Sequence, residues 1–180
     1  MVHDELYEKF CARTVKDHKV LCSRPWRETC YGCRDRSDGG LHVRVYFTDD
    51  GYAAGIARTD ASENGFPNVT HGGILATYFD EVCWHQTKRE EENVNAMTVE
   101  LNVHYWKPVP ENTEVVIVAC PCRKERRHYF VDGAIILPDQ SVAATATVHY
   151  IMIHDDSATA QREHKRILHA WEPERQTIRF

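Results

Sequence analysis

Two periodicities divide the chain. Residues 41–47 alternate apolar and polar side chains, Asp49, Asp50 and Gly51 supply hairpin-turn chemistry, and 52–58 continue as a second strand, which predicts an antiparallel pair. After a loop rich in Asn, Gly and Pro over 60–69 the period lengthens to 3.6. Ile74, Leu75, Tyr78, Phe79 and Val82 fall on one stripe, so a buried helix is predicted from His71 to about Gln86. Residues 97–106, 113–122, 129–137 and 142–153 then read as strands, with a break at 107–112 and a hairpin turn at 138–141. Two strands, one helix and four strands leave no second helix for crossovers. The sheet must be largely antiparallel, with the helix on its concave face, an α+β arrangement.

The start of the helix is unusual. Thr70 is the predicted N-cap, yet Gly72 and Gly73 occupy the first turn, where each glycine costs about 1 kcal/mol in helix propensity. Something must approach that backbone closely, either a ligand or a tightly packed strand. Leu6, Tyr7, Phe10, Thr14 and Val15 predict a short amphipathic helix within 4–20, and Pro25, Gly32, Gly39 and Gly40 mark 23–40 as an irregular loop. The charged segment 157–180 reads as a surface helix ending before Pro173. The division expected is an N-terminal accessory segment 1–27, one domain 28–153 and a C-terminal tail 154–180.

Composition narrows the function. With 180 residues, 42% hydrophobic and 27% charged, the chain has the material for one globular core. A net charge of −5 supplies no global positive field for a nucleic-acid backbone, and no apolar stretch is long enough to span a bilayer. The first ten residues carry acidic groups and no apolar core of a signal peptide, so a cytoplasmic protein with neither nucleic-acid nor membrane partner is expected. The seven cysteines are expected to be free thiols. Cys30 and Cys33 have metal-like spacing, but no second such pair exists and His42 falls inside a predicted strand, so no metal is expected. No phosphate-cradling Gly-rich loop or GxGxxG is present, against kinase, NTPase and dinucleotide roles.

Residues 70–81, Thr-His-Gly-Gly-Ile-Leu-Ala-Thr-Tyr-Phe-Asp-Glu, followed by 97–109, Met-Thr-Val-Glu-Leu-Asn-Val-His-Tyr-Trp-Lys-Pro-Val, resemble the hotdog-fold acyl-CoA thioesterases of the PaaI-like, phenylacetate-pathway type. The loop from Cys30 through Gly40 is similar to a Cys/Gly loop before the first strand of many members. The resemblance, which extends over 28–153, implies an antiparallel sheet wrapped around a central helix, pairing into dimers or dimers of dimers, and hydrolysis of acyl-CoA at the subunit interface. Coenzyme A would arrive as part of the substrate, with no separate cofactor.

By that resemblance Asp80 matches the catalytic carboxylate and Thr98 a hydroxyl that places the water. His71 would orient substrate or fix the loop. Backbone N–H groups of Gly72 and Gly73, unpaired at a helix start, suit the developing thioester oxyanion. Where many members place an Asn six residues before the motif histidine, this chain has Gly65; Asn68 is the candidate for the second oxyanion donor. His71 and Asp80 are nine positions apart, which on one helix is about 13 Å and 2.5 turns, on opposite faces. If both act, a two-fold axis must bring the helix start of one chain to Asp80 of another. Glu81 competes with Asp80 but points about 100° away.

For the nucleotide phosphates, the candidate is the basic run Arg123, Lys124, Arg126 and Arg127, which reads equally well as a solvated hairpin tip. Trp84, with Tyr78, Tyr105 and Trp106, is a candidate for an acyl pocket or for plain core. Two alternatives remain open: a hotdog hydratase or dehydratase using Asp80 and His85, and an acyl-CoA-binding module without turnover.

Overall fold

The stripe on the central helix decides the architecture, because its apolar side chains can be buried only by a sheet that curves around them. A computed structural model describes residues 4–24, 29–90, 95–153 and 172–180. In it α1 (Glu5–Cys11) leads to β1 (Asp17–Ser23), β2 (Arg44–Thr48), β3 (Ala53–Arg58), β4 (Asn64–Phe66) and β5 (Val69–Thr70). The long helix α2 (Gly72–Glu90) follows, then β6 (Asn95–Tyr105), β7 (Glu114–Ala119), β8 (Arg123–Glu125), β9 (His128–Ile136), β10 (Val142–Ile153) and β11 (Thr177–Arg179). The main sheet runs β11-β1-β2-β3-β7-β9-β10-β6, with β8 beside β9, and every pairing is antiparallel.

Helix α2 lies against this sheet with Leu75, Tyr78, Phe79, Val82 and Cys83 buried. Two glycines let it approach. A Cβ on Gly55 of β3 would meet Val82 Cγ2 at 2.3 Å, and one on Gly133 of β9 would fall 2.8 Å from the Val118 carbonyl and 3.3 Å from Cys83 Sγ and Phe79 Cδ1. The last turns of α2 are buried although polar. Gln86 reaches the Gly51 carbonyl at 3.0 Å and Arg89 the Tyr52 carbonyl at 3.3 Å, tying the helix to the β2–β3 hairpin.

The chain ends depart from the helical reading. Helix α1 stops at Cys11, and residues 17–23 are strand β1, paired with β2 on one side and β11 on the other. Val20, with Phe10, Ile178 and Phe180, packs against Tyr46, Ile56 and Val118 on the sheet face opposite α2. An alternating segment with two neighbouring strands gains ladder hydrogen bonds that outweigh a short helical pattern. The predicted tail helix over 157–171 lies outside the described residues. Strand β7 ends at Ala119, short of the predicted 122; beyond it Cys120 packs on the sheet face opposite α2 and Cys122 against the α2 side, so the two thiols face opposite sides.

His18 anchors these added strands: its ring stacks on Phe180 at 3.6 Å and its Nδ1 lies 2.8 Å from Asp50. All seven cysteines are free. No helix among the described residues is long and apolar enough to cross a membrane.

Two outcomes follow from this packing. Gly55→Ala should destabilise the fold by about 1–3 kcal/mol in chemical denaturation, and Val82→Ala in that background should recover part of the loss. Burial raises the Asp50 carboxyl, but Lys16, Thr48 and His18 outweigh it and hold the group at about 2. Its contribution is therefore complete above about pH 4 and is lost as pH falls toward 2, so Asp50→Asn should flatten that part of a stability–pH curve.

Candidate active site

The start of α2 is fixed from both sides. Thr70 N–H donates to the Val109 carbonyl at 2.9 Å and His71 N–H to the Glu63 carbonyl at 2.8 Å. His71, not Thr70, is the cap. Its carbonyl accepts from Ile74 and Leu75 N–H at 2.9 and 3.3 Å, and its ring Nδ1 accepts from Gly73 N–H at 2.8 Å. Thr70 is held in β5 one residue too early to reach the first turn. Gly73 N–H is thus engaged, whereas Gly72 N–H has no hydrogen-bond partner among the described residues.

The close approach to Gly72 comes from the chain itself. Tyr105 donates its hydroxyl to the Gly72 carbonyl at 2.7 Å, and a Cβ on Gly72 would lie 3.2 Å from Tyr105 Cζ. Gly72 and Tyr105 border a groove of about 360 Å³ shared with Leu75, Trp106 and Pro108. Gly65 backs the opposite side of His71, where a Cβ would sit 2.8 Å from His71 Cδ2. That contact leaves no room for an Asn at position 65. Asn68 occupies the exposed turn between β4 and β5 with φ +61°, and no side-chain hydrogen bond joins it to the helix start among the described residues.

Asp80 and Thr98 are brought together. The Thr98 hydroxyl donates to Asp80 Oδ1 at 2.6 Å, and Tyr150 donates to the Asp80 carbonyl at 2.9 Å. Burial pushes the half-buried Asp80 carboxyl above its ordinary range, the Thr98 hydrogen bond opposes this, and the Glu81 charge reinforces it. A β-bulge makes the geometry possible. Thr98 and Tyr105 are seven residues apart and would face opposite sides of a regular strand, but the β6–β10 register shifts between Glu100↔His149 and Thr98↔Tyr150. Val99 absorbs the extra residue, so both side chains reach α2.

Glu81 faces elsewhere. Its Oε2 accepts from Cys30 Sγ at 2.9 Å and its Oε1 lies 3.3 Å from His85 Nε2. His85 is thereby committed to Glu81, and no hydrogen bond joins it to Asp80 among the described residues. Tyr78 is fully buried, with its hydroxyl on Glu63 at 3.1 Å, and Trp84 donates to the Ala96 carbonyl at 3.0 Å beside Lys88. Both are core-facing residues.

The basic run forms β8 and its turn, well engaged locally. Arg123 pairs with Glu125 and covers the Phe130 ring at 4.3 Å, Lys124 lies 5.4 Å over Tyr129, and Arg127 donates to the Met152 carbonyl at 2.8 Å. Arg126 sits in the exposed turn at φ +56°.

Residues 67–144 match the family model of the thioesterase superfamily. No curated protein matches the chain. Among solved structures, a thioesterase superfamily protein is 20% identical with a TM-score of 0.58, covering 63% of this chain and 55% of its own. This chain thus spans little more than half of that relative's length. The PaaI protein of the E. coli phenylacetic acid degradation operon is 16% identical with a TM-score of 0.59, over 67% of this chain and 86% of that one. The BH2602 protein from Bacillus halodurans, solved with CoA, is 26% identical with a TM-score of 0.51, over 56% of this chain and 66% of that one. With α2 enclosed by the antiparallel sheet, the chain carries a hotdog fold similar to these structures, and the thioesterase superfamily model matches it across α2 and β6 to β9.

Proposed function

We propose that the protein is an acyl-CoA thioesterase, hydrolysing an acyl- or aryl-CoA to the free acid and CoA. The observation that carries this reading is the Asp80 carboxylate, half-buried and held by Thr98 at 2.6 Å. A carboxylate whose pKa is raised by burial is a stronger base for water, and one fixed by a hydroxyl has the orientation that base catalysis or direct attack requires. The solved CoA complex of the Bacillus halodurans protein supports a CoA-type ligand.

The reaction needs a polarised carbonyl as well as a nucleophile. Gly72 N–H, at the positive end of a nineteen-residue helix, is the donor proposed for the thioester oxygen. Attack on the carbonyl places negative charge on that oxygen; collapse of the tetrahedral species breaks the C–S bond and releases the CoA thiolate, which takes up a proton. Gly72 and Asp80 are about 12 Å apart along one helix, so the working site joins Gly72 of one chain to Asp80 of a second.

Strand β6 supports the second copy. Among the described residues it ends the sheet, with β10 as its one partner strand, and leaves Met97 and Val99 58% and 55% exposed. A long unpaired edge with apolar side chains is a surface that folded proteins normally cover. We place the phosphates of CoA near the β8 turn, where Lys124 and Arg126 are exposed. The engagement of His85 by Glu81 weighs against the hydratase alternative, which needs His85 beside Asp80.

Release of free thiol from a panel of short, long-chain and aryl acyl-CoAs tests the reading, with a control for the protein's own cysteines. Asp80→Ala should lower turnover by about 100-fold or more, and Thr98→Val by a smaller factor, with both proteins folded. No turnover with any ester, or equal turnover in Asp80→Ala, would contradict it; binding of CoA esters without turnover would identify a binding module instead. In light scattering, Met97→Asp combined with Val99→Asp should convert the oligomer to monomer and abolish turnover together. A fully active monomer would refute the composite site.

A further inference from the structure

The Cys30–Cys33 segment, Cys-Tyr-Gly-Cys, lies against α2 one residue beyond Asp80 and takes no part in the proposed hydrolysis. Ligand atoms of Cys30, Cys33 and Glu81 all lie within 4.8 Å of one another. Cys33 is only 3% exposed, and Cys30 and Glu81 are half-buried. From these positions we infer that the protein binds one thiophilic divalent cation, zinc by preference, through the Cys30 and Cys33 thiolates and the Glu81 carboxylate.

Three features favour a built site over a chance meeting of side chains. The Cys-x-x-Cys turn is rigid. Arg34 N–H donates to the Cys30 carbonyl at 3.0 Å, Leu41 and Val43 N–H donate to the Tyr31 and Gly32 carbonyls at 2.9 Å, and Arg44 donates to the Cys33 carbonyl at 2.6 Å. This turn spacing is the one that places two thiolates on a tetrahedral metal.

Gly32 provides the second feature. A Cβ there would fall 2.7 Å from Glu81 Oε2 and 3.1 Å from Glu81 Cβ and Cδ, so a larger residue would displace either the carboxylate or the turn. The third is outside the ligand set: His85 Nε2, on a 5% exposed side chain, lies 3.3 Å from Glu81 Oε1 and can orient the carboxylate by donating to the oxygen that Cys30 does not touch. Outer partners of this kind fix ligating carboxylates.

The separations suit zinc. Zn–S and Zn–O bonds of about 2.3 and 2.0–2.2 Å put tetrahedral ligand atoms about 3.4–3.8 Å apart, inside the 4.8 Å spread and within reach of side-chain rotation. Two thiolates exclude Mg²⁺ and Ca²⁺ as preferred occupants. Three protein ligands leave a fourth position for water. His42, the nearest histidine in sequence, is turned away, held by Asp35 at 2.5 Å and Arg44 at 2.8 Å. The third ligand comes from α2, which is why spacing along the loop does not reveal the site. When bound, the ion would staple the loop to α2 beside Asp80.

Co²⁺ titration of the full-length protein under reducing conditions tests this, because thiolate–Co²⁺ charge transfer is visible in the near ultraviolet. The expected result is an intense band saturating at about one equivalent, displaced by Zn²⁺, with Zn²⁺ raising the melting temperature. Cys30→Ser combined with Cys33→Ser should abolish the band, Glu81→Gln should weaken Co²⁺ binding at least about 10-fold, and Cys122→Ser should leave both unchanged. Circular dichroism establishes that each variant is folded, and the wild-type titration stands without any variant. Absence of the band in wild type overturns the proposal. So does a band that survives in the Cys30/Cys33 variant, or a thiol count showing that Cys30 and Cys33 form a disulfide under the same conditions.

Discussion

Close packing of α2 on the sheet is the constraint on which the remaining structure depends. Val82 occupies the space left by Gly55, and Phe79 and Cys83 that left by Gly133, so the helix has little freedom to rotate. Once that phase is fixed, each neighbouring position is committed, because successive residues differ by about 100°. Asp80 is presented to β6 and Glu81 to the Cys30–Cys33 turn. Two adjacent carboxylates on one helix thus acquire different surroundings and different chemistry.

Strand β6 supplies the second half of the arrangement. Its bulge at Val99 directs Thr98 to Asp80 and Tyr105 to the Gly72 carbonyl, so one strand supports both the carboxylate and the helix start. Among the described residues the same strand is an edge of the sheet. Geometry within the chain and the pairing proposed with a second chain therefore meet on one element. A distortion of β6 would be felt at both ends of the proposed site. Strands β1 and β11 lie at the far edge of the sheet, whereas α1, on the sheet's other face, reaches β6: Asp4 pairs with His104, and the Tyr7 ring packs on Trp106 at 4.4 Å.

Much of this was legible in the residues. The change from period two to period 3.6 and back located α2 and its flanking strands, since burial of one face imposes those spacings wherever the core decides. Asp80 and Thr98 were named separately by the family resemblance; the hydrogen bond that joins them at 2.6 Å is supplied by the fold. The misjudged parts share a cause, namely dependence on contacts distant in sequence. Strand β1 exists because β2 and β11 flank it, and a single segment carries no record of that. His71 rather than Thr70 caps the helix because β5 holds Thr70 back. The bulge at Val99 leaves no compositional mark. Separately, the gathering of Cys30, Cys33 and Glu81 could not be read from loop spacing, because Glu81 is more than forty residues away and was weighed only as a rival to Asp80.

The central claim is that Asp80 of one chain works with Gly72 of another, and hybrid oligomers test it most directly. Gly72→Pro removes the N–H at a first-turn position where proline is tolerated, and Asp80→Ala removes the carboxylate. Each variant alone should be folded and inactive. Co-expressed with different tags and purified as a mixed dimer, the pair should regain about half of the wild-type thioesterase rate, because one of the two composite sites is then intact. A mixed dimer as inactive as its parents, or a Gly72→Pro protein as active as wild type, would contradict the account.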